Sequence, residues 1–379
     1  MRNRFLKTIA LTLVLFGTIQ LPLPAQVTPG WIGKRVVPKN SNFTLLVNGE
    51  AVEQGGKGIA FYRVEQVDGS ALWVNSESQG SSGWAKADQV VLVEQAVDFF
   101  TRQIRAHPDD PYFRAVRASL WSDRKASDSA LHDYDDAIRL DPKNASYYRG
   151  RGLVWHSAKV YDKAIADFDE AIKLDPKSAL AFIGRGASRA SKNEYSKAIA
   201  DESEAIWLDP LAIAAYDNRG LAWHAKKEFA KAIVDYNVAI RLDSRHTLAF
   251  CRRGDAWAAL EKFDKALADF NEAIRIDETC AGAHVSRAWI WSTCPEAKYR
   301  DGQKAVASAT RACELTEWRD SSLLEVLAAA CAEVGEFQSA VKWQTTANAL
   351  RHDDLERVTG QSRLKLFEQQ KPVRVLTPK

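Results

Sequence analysis

The residues that could do chemistry in this chain do not assemble into a reaction centre. His156 and His224 have no Asp or Glu spaced to complete a metal site, and His156 and the adjacent Ser157 diverge on a helix, so they cannot cooperate directly. The glycine-rich stretch Gly55-Gly56-Lys57-Gly58 has Ala51 where a phosphate loop needs its first glycine, and Gly58 where it needs the magnesium-holding Ser or Thr. It reads as a turn. The cysteines Cys251, Cys280, Cys294, Cys313 and Cys331 are odd in number and lack the paired spacing of a zinc site, so they read as buried thiols acting as small apolar side chains. No catalytic residue, metal or cofactor is expected.

What does recur is charge. Arginines stand at 117, 151, 185, 219, 253 and 287, and five of them are followed sixteen residues later by Asp133, Asp167, Asp201, Asp235 and Asp269. We expect the two series to pair inside a stack and to set the register between its layers. Half-buried pairs of this kind add little net stability but are costly to break from one side. Glu202 stands where related positions carry an aromatic, Tyr134, Phe168, Tyr236 and Phe270, and is expected to lean toward solvent beside Glu204.

The elements that position these residues repeat every 34 residues. Pro108, Pro142, Pro176 and Pro210 mark the period, as do Ala96, Ala130, Ala164, Ala198, Ala232 and Ala266. Trp121, Trp155, Trp223, Trp257 and Trp291 fall on one register, with Arg189 in the missing slot. A fixed period of this size signifies stacked copies of one supersecondary unit. In residues 145–178 the apolar positions Tyr148, Trp155, Tyr161, Ala164, Phe168 and Ala171 form two helical runs. Gly152 lets the two helices approach closely, and Pro176 ends the second. One such hairpin cannot bury its own face, so copies stack into a continuous core.

This pattern resembles the tetratricopeptide repeat family. Gly152, Gly186, Gly220 and Gly254 hold its glycine position, Ala118 and Ala288 substitute for it, and Ala137, Ala171, Ala205, Ala239 and Ala273 hold its second alanine. The resemblance implies an all-α solenoid over residues 94–350, with repeats at 111–144, 145–178, 179–212, 213–246 and 247–280. Two divergent repeats follow, the first with an insertion around Cys294–Asp301 between its helices. A lone helix over Glu94–Ala106 precedes the repeats, and residues 351–379 read as a closing helix, through Leu355, Val358, Leu364 and Phe367, and a tail.

In this family the first helices line a concave groove that docks a protein or peptide. Mapped here, the groove residues are Arg149, Leu153, His156, Ile183, Asp217, Asn218, Leu221, His224, Arg252, Asp255 and Trp289, with Leu180, Leu248 and Cys251 at further groove positions. Members that clamp a C-terminal carboxylate need five basic or amide residues. Asn218 and Arg252 match two, whereas Ile183, Ala187 and Leu248 occupy the other three, so an apolar peptide or amphipathic helix is the better expectation.

Residues 27–93 read as short strands near Arg35–Val37, Phe43–Val47, Ile59–Val67, Ala71–Asn75 and Val90–Val93, with a hairpin at Asp68-Gly69. Gly83-Trp84 followed by Ala87-Asp88-Gln89-Val90-Val91 resembles the Src-homology-3-like barrels of exported bacterial proteins, which implies a small β-barrel. Lys86 and Gln89 replace the Pro and Tyr that pack polyproline in that family. Trp31, Trp73 and Trp84 either present a surface for a peptide or glycan or fill the barrel core.

At the N-terminus, Arg2, Arg4 and Lys7 precede a short apolar run, Ile9–Ile19, and the breakers Pro22, Pro24 and Ala25, the layout of a secretory signal peptide over residues 1–25. The expected location is periplasmic or secreted, with no transmembrane span after cleavage. The whole order of segments resembles a family of exported bacterial repeat proteins of unassigned activity. Over 379 residues the net charge is only +3, with basic and acidic residues interleaved, which argues against a nucleic-acid partner. The expected function is a non-enzymatic exported scaffold that binds a protein or peptide; the alternative is a cell-wall or glycan-binding module led by the barrel.

Overall fold

The computed structural model describes residues 29–48, 50–53, 59–77, 81–351 and 353–374. The expected signal segment and the turn at Gly55–Gly58 lie outside them. The fold is an all-α helical-repeat solenoid with a small N-terminal antiparallel sheet, and the chain divides into two compact bodies, Met1–Pro142 and Lys143–Lys379.

Among the described residues of the first body, seven strands form one sheet: β1 (Arg35–Pro38), β2 (Thr44–Val47), β3 (Glu50–Glu53), β4 (Tyr62–Asp68), β5 (Ala71–Ser76), β6 (Ser82–Lys86) and β7 (Val90–Leu92). Their order is β3-β2-β6-β5-β4-β1-β7. Among the described residues no pairing joins β3 to β7, so the expected closed barrel is corrected to an open sheet. Asp68 pairs with Ala71 across the expected hairpin, and Gly69 supplies the positive φ of 59° that the turn requires.

Strand β6 was not legible because Gly83 weakens a strand pattern. The glycine is nevertheless required, since a Cβ there would lie 2.9 Å from the Leu46 carbonyl oxygen of β2. Strand alternation sends Leu72, Val74 and Ala85 into the core with Val36, Leu45, Tyr62 and Val64. It leaves Trp73 and Trp84 half-buried on the other face, edge to face at 5.5 Å, while Trp31 packs against the core.

The first body continues into helices α1 (Val93–Ala106), α2 (Pro111–Asp123) and α3 (Ser127–Leu140). Val37 and Val91 of the sheet share a core with Val97 and Phe100 of α1 and with Phe113, Val116 and Leu120 of α2. The Tyr112 hydroxyl donates to the Pro38 carbonyl at 3.0 Å, which ties α2 to β1.

The second body carries the remaining helix pairs: α4 (Ala145–Ser157) and α5 (Tyr161–Leu174), α6 (Ala179–Ser191) and α7 (Tyr195–Leu208), α8 (Ile213–Ala225) and α9 (Phe229–Leu242), α10 (Thr247–Ala259) and α11 (Phe263–Ile276). The divergent pairs are α12 (Ala281–Thr293) with α13 (Gly302–Leu315) and α14 (Ser321–Glu333) with α15 (Phe337–Ala349); α16 (Asp354–Glu368) closes the body. The second helices α5, α7, α9 and α11 stop at Asp175, Asp209, Asp243 and Asp277, whose carboxylates accept the backbone N–H two residues on.

The insertion forms the loop between α12 and α13, with one 3-10 turn over Ala297–Tyr299. Tyr299 anchors it by donating to Asp264 at 2.7 Å. At the far end, Glu325 of α14 is buried beneath two guanidiniums, Arg351 at 2.7 Å and Arg363, while Phe367 of α16 sits at 1% exposure in the last core.

The pairs are held together by an aromatic ring set on a glycine. A Cβ on Gly220 would lie 2.5 Å from the Tyr236 ring, one on Gly254 2.6 Å from Phe270, and one on Gly152 3.1 Å from Phe168. The repeat at 179–212 departs from this, because Glu202 takes the ring's place against Gly186 and is fully buried at 0% exposure. The expectation that Glu202 leans to solvent is therefore corrected. Its slot points inward in every repeat, and the fold does not rotate one helix to spare one side chain.

Candidate functional site

The arginine series builds the frame. Arg117, Arg151, Arg185, Arg219 and Arg253 each grip the aspartate sixteen residues on, with guanidinium-to-carboxylate distances from 2.6 to 3.2 Å. The aspartates are 2–6% exposed. This pairing joins the two helices of one repeat.

The third guanidinium nitrogen, Nη1, reaches sixteen residues back to the preceding second helix. In the second body it meets Asp169 from Arg185 at 2.6 Å, Ser203 from Arg219 at 3.1 Å, Asn237 from Arg253 at 2.7 Å and Asn271 from Arg287 at 2.7 Å. One planar fork thus fixes both the hairpin and its stacking on the previous one, a task a lysine point charge cannot perform. Arg287 has no aspartate ahead of it. The five-residue insertion places Ser308 there instead, and Arg287 holds its hydroxyl at 3.1 Å.

The tryptophan register carries a second series of contacts: Lys163 lies over Trp155 at 4.2 Å, Lys231 over Trp223 at 4.5 Å and Lys265 over Trp257 at 4.3 Å. In the slot without tryptophan, Arg189 turns to Asp201 at 2.7 Å, so that aspartate holds two arginines.

These contacts align the first helices α4, α6, α8, α10 and α12, each touching the next but one in the chain. The expected groove residues lie on them, though not all are open. Leu153 and Leu221 are 49% and 38% exposed, and Leu180 and Leu248 are 42% and 47%. Arg149, His156, Ile183, Asn218, His224 and Arg252 are half-buried. Trp289 is 3% exposed, packed in the last core beneath the Arg363 guanidinium at 5.2 Å. It cannot line a groove as expected, because the apolar mass added by α14–α16 covers it.

Most polar groups on this face are already engaged with one another. His156 Nδ1 lies 2.9 Å from the Ser188 hydroxyl, whose single proton goes to the Gly184 carbonyl at 2.8 Å, so the Nδ1 atom carries the imidazole hydrogen. Burial lowers the pKa of His156 and of His224, which meets Phe229 edge to face at 5.0 Å. Asp217, only 6% exposed, accepts from His246 at 2.6 Å and Arg252 at 3.3 Å. Asn218 donates to Glu202 at 3.1 Å. The two residues that matched a carboxylate clamp are thus both occupied internally.

Asp255 is the open charge. It is solvent-exposed yet ringed by protein on the helix face, accepts from Ser286 at 2.9 Å, and is pushed up to about 6 by this crowding. Glu202 is pushed further, to about 9, first by burial, which the Asn218 hydrogen bond only partly offsets. Among the described residues no group of three or more His, Cys, Asp or Glu could hold a metal ion.

Two contacts were missed by reading the sequence. Asp217 meets His246, and Cys251 meets Cys280 at 3.4 Å between sulfurs, each pair 29 residues apart. Both join the fifth residue of a repeat to its last residue, which caps the next first helix. Once the 34-residue register is known, that spacing identifies them.

Arginine-tied helical hairpins stacked on glycine-seated rings define a helical-repeat solenoid. Comparisons with known proteins agree on the class: models of the tetratricopeptide repeat match residues 118–179 and 247–280. No curated protein matches the chain. Among solved structures, yeast Tom70 is similar at 18% identity and a TM-score of 0.52, over 73% of this chain and 59% of that one. Cut9 with Hcn1, from the APC/C hetero-tetramer, is similar at 16% identity and 0.51, over 73% and 53%. YrrB, described as a TPR protein with an unusual peptide-binding site, aligns at 24% identity and 0.41, over 48% and 95%. Tetratricopeptide repeat proteins are typically protein-binding scaffolds and typically not enzymes. No described helix is long and apolar enough to cross a membrane.

Proposed function

We propose that this protein is a non-enzymatic scaffold, exported through its N-terminal segment, that docks an apolar peptide or amphipathic helix along its first helices. One observation carries the reading. Leu153, Leu180, Leu221 and Leu248 stand 38–49% exposed, one on each of α4, α6, α8 and α10. Within a repeat these leucines occupy the second or the ninth place, seven residues or two helical turns apart, and so belong to one stripe. Of the polar groups around them, His156, Asp217 and Asn218 already bond to other side chains, so a partner gains little from replacing those bonds and most from covering leucine. Ile183, Asn218, Arg252 and Asp255 would flank the occupant.

The test is selection from a displayed peptide library against the full chain, followed by Leu153→Asp/Leu221→Asp. The reading expects selected peptides with apolar residues at helical spacing, and at least about a tenfold loss of affinity in the variant, equivalent to ~1.4 kcal/mol, with melting unchanged. Undiminished binding, or a consensus fixed on a free C-terminal carboxylate, refutes it.

A second reading rests on Trp73 and Trp84, edge to face on the sheet's other face with Leu46, 44% exposed, opposite Trp84 in the ladder. Such a surface suits a cell-wall glycan. Retention of the full chain on cell-wall material, abolished by Trp84→Ala, would favour it over the leucine stripe.

A further inference from the structure

We propose that Cys251 and Cys280 are a redox-responsive thiol pair, closing to a disulfide that staples α10 to the start of α12. Their sulfurs already lie 3.4 Å apart, and a side-chain adjustment of about 1.4 Å brings them to the ~2.0 Å of an S–S bond. The approach is built by the repeat and is not an accident of two side chains. The same pair of places, fifth and last in the repeat, brings Asp217 and His246 to 2.6 Å one repeat earlier. Asp255 and Ser286, at 2.9 Å, bridge the same two helices, so the staple would lock a junction already in register.

The two thiols are unequal in a way that suits sequential chemistry. Cys251 is 7% exposed, whereas Cys280 is half-buried and reachable. Cys280 occupies the N-cap of α12. Its pKa is lowered chiefly by the Cys251 thiol, to which we assign the donor role, against the opposing effect of burial, and the backbone N–H groups of Ala283 and Gly282 add to the lowering. The negative charge therefore settles on Cys280, and Cys251 keeps its proton. The other three cysteines, Cys294, Cys313 and Cys331, are 1–3% exposed.

The oxidant is a disulfide. The Cys280 thiolate attacks one of its sulfurs, forming a mixed disulfide and expelling the other half as a thiolate. Cys251 then gives up its proton and attacks the Cys280 sulfur, expelling the second half. Two thiols are oxidised, one disulfide is reduced to two thiols, and the S–H proton passes to solvent or the leaving thiolate.

The experiment equilibrates the reduced full-length chain with stepped ratios of oxidised to reduced glutathione, alkylates, and maps the peptides. The expected product links Cys251 to Cys280 and leaves three of the five cysteines free. Cys251→Ser, checked for folding by circular dichroism, should instead accumulate one glutathione on Cys280. A linkage through any other cysteine, or a glutathione adduct on Cys280 that persists unresolved in the wild type, overturns the proposal. Iodoacetamide kinetics on reduced protein give a second readout that needs no disulfide. Alkylation of Cys280 at pH 7 should fall about tenfold in Cys251→Ala, the loss of thiolate when a thiol near 6 rises by about two pH units; an unchanged rate refutes the assigned donor.

Discussion

Two neighbouring repeats, 179–212 and 213–246, share a backbone and differ in what fills it. In the later one Tyr236 sits on Gly220, Trp223 lies under Lys231, and Asp235 has Arg219. In the earlier one Glu202 sits on Gly186, Arg189 stands in the tryptophan slot, and Asp201 has both Arg185 and Arg189. The hairpin geometry survives the exchange of two aromatic slots for polar ones. Its positions are set by the glycine seat, the small alanines and the arginine forks, and these are retained. The consequence is a carboxyl held in an apolar slot with one hydrogen bond and no counter-charge of its own.

The largest expected effect follows from that carboxyl. The folded chain holds the Glu202 proton up to about 9, whereas the ordinary value is 4.5. Stability from this group is therefore full below about 4.5 and is lost as pH rises toward 9, by up to about 1.4 kcal/mol per pH unit. Urea unfolding at several pH values should show Glu202→Gln gaining on the wild type by several kcal/mol, to order of magnitude, between pH 5 and 8. Parallel curves would mean that the repeat opens to hydrate the carboxylate.

Next comes the arginine frame. Arg219→Ala strands Asp235, 2% exposed, and should cost about 3 kcal/mol by denaturant unfolding. Arg185→Ala leaves Arg189 on Asp201 and should cost less than half as much; equal losses would remove the distinction between the repeats. Gly220→Ala drives a Cβ to 2.5 Å from the Tyr236 ring and should cost about 2 kcal/mol. Gly186→Ala meets only the flexible end of Glu202 and should cost less. The smallest effect lies in the turns. Lys227 and Asn193 both hold φ near 62°. Lys227→Gly should raise stability by about 1 kcal/mol, and Asn193→Gly by less, because asparagine tolerates that conformation.

Much of this was legible in the chain. The helix pairs begin where the 34-residue register places them, the insertion falls between α12 and α13, and the Arg–Asp spacing of sixteen is a contact in all five pairs. The sheet was less legible: β6 was hidden by Gly83, and β3, exposed along its length, had no apolar side to reveal it. Of the residues expected to line a groove, Leu153 and Leu221 are exposed, whereas Trp289 is covered by helices distant in sequence.

By itself the sequence determined the period, the hairpin and the identity of the repeat, because these depend on local spacing and on side chains that recur. Only the tertiary structure decided which recurring slots are sealed and which are open. Burial of Glu202 and protection of Trp289 depend on the elements packed against them, and the meetings of Asp217 with His246 and Cys251 with Cys280 depend on how the end of a repeat returns to its first helix. A side chain's environment is set by every element packed on it, and a single repeat read alone does not contain its neighbours.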